Sequence, residues 1–270
     1  MVPTYRFRAA EILTITIGIA IAYLTIFPSF AHSEWYVGGY GGMSTTGNLS
    51  DVTMPAYGQR LAFQQFPLAD PSIGAASLTQ TFKASDLKLE SSPIFGAKAG
   101  YFFTEEKLPW LGVEVEAFTS NPTINSQTLT TNQTIFFTPS QITLPCNANP
   151  QNCPGAFVKN DPLVLTESSL RVVTVAFNVI ARYPGQMLQP YIGVGGAGFY
   201  FQSSTGSIQG RQWAPGLNAL AGIKLLVTDE WGLFLEGKYN LASISNLDQT
   251  FGLSATYSVF HGVAGVAYHF

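Results

Sequence analysis

All-β and closed on itself is the fold this sequence predicts: an eight-stranded antiparallel up-and-down transmembrane β-barrel with long outer loops, preceded by a signal peptide. Three observations predict it. Eight stretches alternate with period two, so each sends one set of side chains to either face of a strand. The joins between them run long, short, long, short to the end, as expected when turns lie on one side of a bilayer and loops on the other. Charge is scarce: Asp, Glu, Lys and Arg make up 11% of the chain against a usual quarter, while Gly (26), Phe (20) and Tyr (12) are plentiful.

The first 31 residues read as a secretory signal, with Arg6 and Arg8 ahead of an uncharged run, Ile12 to Phe27. Small residues, Ser29 and Ala31, precede the expected cut, and the run is too short for a spanning helix. The barrel domain is then 32–270. Strand one covers Trp35 to Ser44, with aromatic residues at its start and a facing that the pattern leaves open. Strand two, Pro93 to Thr104, points Phe95, Ala97, Ala99, Tyr101 and Phe103 outward and Lys98 inward. Strand three turns Leu111, Val113, Val115 and Ala117 out and Glu114 and Glu116 in. Strand four, Leu170 to Tyr183, turns Val173, Val175, Phe177, Val179 and Ala181 out and Thr174, Asn178 and Arg182 in. Strand five is Gln189 to Gln202. Strand six, from Trp213 to Thr228, sets Asn218 and Lys224 against an apolar face. Strand seven, from Trp231 to Leu241, has Glu236, Lys238 and Asn240 inward. Strand eight, Thr256 to Phe270, closes the barrel with Phe260, Gly262, Ala264, Val266, Tyr268 and Phe270 on its lipid face. A spanning strand must belong to a closed ring, because no backbone group can stay unpaired in hydrocarbon.

Two joins are long, about 47–92 and 121–167. The first carries Pro55, Pro67 and Pro71 without a sustained period and reads as a functional surface rather than a core element. The second is rich in Thr, Asn, Gln and Pro and holds Cys146 and Cys153. In an exported chain these most simply form one disulfide across a loop tip; a metal site would want more ligands. Gly193 to Gly198 satisfies the dinucleotide pattern G-x-G-x-x-G. An aromatic strand end and a Ser-rich loop follow it instead of a helix, so the glycines read as packing residues. The net charge of −3 and the lack of a basic stripe exclude a nucleic-acid partner, and no cofactor or metal is expected.

The opening Trp35-Tyr36-Val37-Gly38, the run Pro190 to Gly195, and Gly222-Ile223-Lys224 through Trp231 to Tyr239 carry a resemblance. They look like the eight-stranded outer-membrane β-barrel family of opacity-type surface proteins and the OmpA transmembrane domain. The resemblance covers the mature chain except the long loops. It implies a bacterial outer-membrane location, a monomer embedded in outer-membrane lipid, and a carboxy-terminal insertion signal, Tyr268 and Phe270, read by the barrel-assembly machinery. Family members serve as adhesins, anchors or small pores. Because the chain ends within its last strand, no peptidoglycan-binding domain is expected, contrary to the OmpA pattern.

Inside the barrel, Lys98, Arg182, Lys224 and Lys238 oppose Glu114, Glu116 and Glu236. An eight-stranded barrel is just wide enough for side chains to fill, and buried charges persist when paired, so these groups are expected to lock the lumen. The rival reading is a small-solute or ion channel lined by the same groups. A catalytic reading rests on His261 near the outer rim, with Ser243, Ser245 and Ser258 as neighbours. It lacks an orienting acid, and the lipid A deacylase pattern of a His before Ser-Asn is unmet, since Ala242 to Ile244 precede Ser245-Asn246. The expectation is a non-catalytic barrel whose outer loops serve surface structure or adhesion and meet a surface partner.

Overall fold

The computed structural model describes residues 34–65, 75–139 and 155–270. The signal peptide expected over residues 1–31 and the Cys146–Cys153 pair lie outside the described residues. In chain order the elements are β1 (Glu34–Ser44), β2 (Gly47–Thr53), α1 (Pro55–Gln65), β3 (Ala75–Ala84), β4 (Leu87–Leu89), β5 (Ser92–Phe103), β6 (Leu108–Ser120), β7 (Thr123–Ile124) and β8 (Gln127–Leu129). They continue with β9 (Thr131–Pro139), β10 (Gly155–Lys159), β11 (Leu163–Leu165), β12 (Ser168–Arg182), β13 (Leu188–Ser203), β14 (Gly210–Leu226), β15 (Trp231–Ile244) and β16 (Ser254–His269).

Eight of these strands form one closed antiparallel ring, β1-β5-β6-β12-β13-β14-β15-β16, and β16 returns to β1. Closure runs from Tyr36 opposite His269 to Ser44 opposite His261, and the Phe270 N–H donates to the Trp35 carbonyl at 3.0 Å. Short turns join the strands at the end where the described chain begins and ends. In one of them the Thr228 hydroxyl accepts from the Glu230 and Trp231 amides at 3.3 and 3.0 Å. A ring leaves no edge, so every rung of the ladder can sit in hydrocarbon.

The outer face is apolar all the way round. Phe95, Val115, Phe177, Ile192, Leu217 and Leu235 are among the large side chains left exposed, a far larger apolar surface than a soluble monomer shows. Trp35, Trp110, Tyr183 and Trp231 rim one end of this band, where amphipathic rings sit at a membrane interface. Along β12 the apolar run from Tyr183 to Val173 rises about 25 Å at about 2.5 Å per tilted residue, the height of a barrel's lipid belt. The chain is an eight-stranded outer-membrane-type barrel that crosses with strands; no helix among the described residues is long and apolar enough to do so.

The long joins differ from expectation. After brief breaks at Thr45-Thr46, Glu90-Ser91 and Asn121-Pro122, the strands β1, β5 and β6 resume as β2, β4 and β7. These pair onward as β16-β2-β4-β7-β12, so a second storey of the same eight-membered ring stands outside the belt. Beyond it, β3, β9 and β10 extend the same sheet from β2, where Thr53 stands opposite Lys83, and the α1 backbone accepts a bond from Gln133 Nε2 to the Gly58 carbonyl at 2.7 Å. Leu49, Val52, Met54, Phe82, Leu87, Leu89, Ile124, Leu129, Leu163 and Leu165 are buried in a core that also takes in Phe199, Phe201 and Tyr257 from the barrel strands. The described parts of the joins contribute core residues as well as surface. Their alternation comes in pieces of three to seven residues, such as Leu87-Lys88-Leu89 and Leu163-Val164-Leu165, too short to register as a period.

Candidate functional site

The inward face of the belt is polar and charged, and its side chains reach one another across the ring. Lys98 on β5 lies 3.2 Å from Glu114 and 2.7 Å from Glu236. Lys238 on β15 lies 2.7 Å from Glu236 and also bonds Glu116. The five groups form one chain, Glu114–Lys98–Glu236–Lys238–Glu116, in which acid and base alternate and every side chain is at most 2% exposed. Glu114 and Glu116 also take neutral donors, Glu114 from Asn178 at 3.3 Å. Glu116 accepts from Asn218 at 2.6 Å and Asn178 at 3.1 Å, and the Asn240 amide passes on to Asn218 at 2.8 Å.

Three tyrosines complete the network. Tyr36 donates to Glu114 at 2.7 Å, Tyr40 to Glu116 at 2.9 Å and Tyr191 to Glu236 at 2.6 Å. The register explains the reach of two of them. Tyr36, Gly100 and Glu114 occupy one row on β1, β5 and β6, and Tyr191, Gly222 and Glu236 one row on β13, β14 and β15. In each row the ring passes over the glycine and its hydroxyl bonds the carboxylate two strands away. A Cβ at Gly100 would meet the Tyr36 ring at 2.5 Å, and one at Gly222 the Tyr191 ring at 2.7 Å. Glycine is needed there for close approach.

Arg182 and Lys224, expected in the same network, lie nearer the turn end and touch none of its carboxylates. Arg182 forks onto both oxygens of Glu34, a residue the sequence reading passed over, and stacks on Phe102 with 3.6 Å from guanidinium carbon to ring centroid. His269 Nδ1 shares Glu34 at 3.0 Å. Lys224 Nζ lies 3.2 Å from His269 Nε2 and 4.3 Å over the Tyr36 ring. With Glu34 included, four buried cations face four carboxylates. The space between the two clusters, bounded by Tyr36, Lys98, Phe102, Arg182, Tyr191 and Lys224, is about 10 Å³, at the limit for one water molecule. Above the network the lumen gives way to the apolar core that the outer storey completes.

His261 is fully buried at that boundary, its ring edge-on to Phe118 at 5.9 Å, and neither ring nitrogen has a hydrogen-bond partner among the described residues. The serines considered beside it are elsewhere. Ser258 bonds Tyr239 at 2.8 Å, Ser245 exchanges bonds with Gln212, and Ser243 faces outward across the wall. The Gly193–Gly198 run lies within β13, where a Cβ at Gly195 would strike the Phe177 carbonyl and Asn178. Tyr268 and Phe270 stack at 6.0 Å beside Trp231 on the lipid face.

No family model matches the chain, and no curated protein does. Solved structures do. Neisserial surface protein A is 13% identical, with 87% of this chain and 97% of that one covered and a TM-score of 0.44. The attachment invasion locus protein Ail of Yersinia pestis, solved with the heparin analogue sucrose octasulfate, is 12% identical over 89% and 100% with a TM-score of 0.41. The outer membrane protease OmpT of Escherichia coli is 11% identical over 91% and 100% with a TM-score of 0.33. The fold stands on the ring of paired strands itself.

Proposed function

We propose that the protein is a non-catalytic outer-membrane barrel whose sealed lumen serves as a rigid post and whose outer storey is a contact surface for adhesion or surface structure. The observation that supports this most is the filling of the interior. Ion pairs occupy the belt, a single apolar core occupies the outer storey, and the gap between the two charged clusters is about 10 Å³. A chain that seals its own channel and folds its long joins has its free surface outside. There the exposed faces of β9, β10 and β11 carry Phe136, Val158 and Val164, each more than half exposed, amid threonines and asparagines.

Purified protein in planar bilayers should show no steady conductance; discrete openings that change in K238M would favour a small-solute channel. Cells displaying the protein should autoaggregate or adhere to polystyrene more than cells displaying F136S/V158S. Equal behaviour of the two would remove the contact surface from the reading.

A further inference from the structure

Among the described residues, the upper margin of the lipid-facing wall carries one pair of neighbouring arginines. On β12, β13 and β14 the outward residues Arg171, Gln202 and Arg211 stand in one row of the ladder, Arg171 opposite Gln202 and Gln202 opposite Arg211. The next row inward along the same strands is Val173, Tyr200 and Trp213, with the Tyr200 and Trp213 ring centroids 5.1 Å apart. Tyr200, Arg211, Gln212 and Trp213 line a depression of about 400 Å³ on this surface. Both arginines are exposed, and among the described residues neither is in an ion pair.

Depth decides what the row meets. The apolar run of β12 ends at Val173, about 25 Å above Tyr183, so Arg171 emerges where hydrocarbon stops. The Leu170 amide donates to the Pro122 carbonyl at 2.9 Å, which puts Arg171 level with the break between β6 and β7 that begins the outer storey. Strand tilt offsets neighbouring rungs by about 3 Å in depth, so the two arginines differ by about 6 Å, within one headgroup layer. Their Cα atoms are about 10 Å apart across two strand spacings, and two guanidinium forks can close on one anion between them.

We propose that Arg171 and Arg211 hold the phosphate of a lipid in the outer leaflet, whose acyl chains lie along the Tyr200–Trp213 ledge. The ligand class is a phosphorylated, multiply acylated lipid: the forks bind the phosphate bidentately, Gln202 donates from between them, and the rings pack on the chain tops. This reading needs only the barrel's membrane seat and is independent of whether the outer storey is adhesive.

The test uses the full mature barrel reconstituted in phosphatidylcholine bilayers doped with lipid A or with dephosphorylated lipid A. The readout is lipid retained per protein in native mass spectrometry. Wild type should retain lipid A and lose most of it when the phosphates are removed. At about a factor of five per surface arginine, R171Q or R211Q should weaken retention about fivefold and the double variant about 25-fold. R60Q, on helix α1 away from the belt, should leave it unchanged, and unheated gel migration checks that each variant is folded. Equal retention by wild type and the double variant, or of the dephosphorylated lipid, overturns the proposal. Displacement of lipid A by millimolar inorganic phosphate would also overturn it, because the site would then be one for a soluble anion.

Discussion

Lys238→Met removes the cation shared by Glu116 and Glu236, and the geometry says where the cost falls. Glu236 keeps Lys98 at 2.7 Å and Tyr191 at 2.6 Å. Glu116 keeps neutral donors alone, Tyr40, Asn178 and Asn218. A buried carboxylate stripped of its cation costs about 3–5 kcal/mol, roughly a 150- to 5,000-fold loss in the folding equilibrium. Denaturant titration of the vesicle-embedded barrel, followed by tryptophan fluorescence and the unheated gel band, should place the K238M midpoint well below wild type. Adding E116Q to K238M removes the stranded charge while keeping most hydrogen bonds, so the double variant should regain more than half of the loss. An unchanged midpoint in K238M, or no recovery on adding E116Q, would show that Lys238 does not compensate Glu116 and would undo the locked-lumen argument.

Gly100→Ala should destabilise by about 1–3 kcal/mol in the same assay, since the new methyl meets the Tyr36 ring, and Tyr36→Ala should make the change nearly silent. Arg182→Lys should cost about 1–2 kcal/mol even though charge is kept, because an ammonium cannot reproduce the fork onto Glu34; a neutral result would make the fork dispensable. Leu87→Ala, at the centre of the outer core, should cost about 2–5 kcal/mol and speed trypsin cleavage at Lys83 and Lys88 in intact vesicles. Unchanged cleavage would mean that the outer storey does not fold as a unit.

The eight belt strands were legible because each runs eleven residues or more in the structure, and lipid outside against side chains inside enforces strict alternation. The outward and inward residues named for strands two to four and six to eight sit on those faces. Strand one was ambiguous because its glycines, Gly38, Gly39, Gly41 and Gly42, carry no facing signal; the structure turns Tyr36 and Tyr40 inward. The partners of Arg182 and Lys224 were not legible. Which charge meets which depends on register across strands far apart in the chain, as with Glu34 and Arg182. A signal did exist for the tyrosine rows: once register is known, a tyrosine, a glycine and a glutamate fall in one line, twice. The outer storey was missed because its strands are short and interrupted, and their burial comes from packing on Phe199, Phe201 and Tyr257 rather than from any local period.

On the proposed reading of a sealed lumen, the two halves of the interior oppose ion passage by different physics, and each covers the weakness of the other. In the belt, a moving ion must displace Lys98 or Lys238 from carboxylates that each cation holds in pairs, and the groups left behind would be buried charges without partners. A network of this kind can rearrange locally, because asparagines and tyrosines offer alternative bonds. The outer core cannot help in that way. Leu49, Leu87, Ile124, Leu165, Phe199 and Phe201 present no polar atom to replace an ion's water, and an unpaired charge in such surroundings is prohibitively costly. Opening the outer half therefore requires β2, β4 and β7 to leave the ring together, since each buries its leucines or isoleucine against the others. Any conductance would then rise in step with proteolysis of the outer storey, whereas a belt-lined channel would conduct with that storey intact.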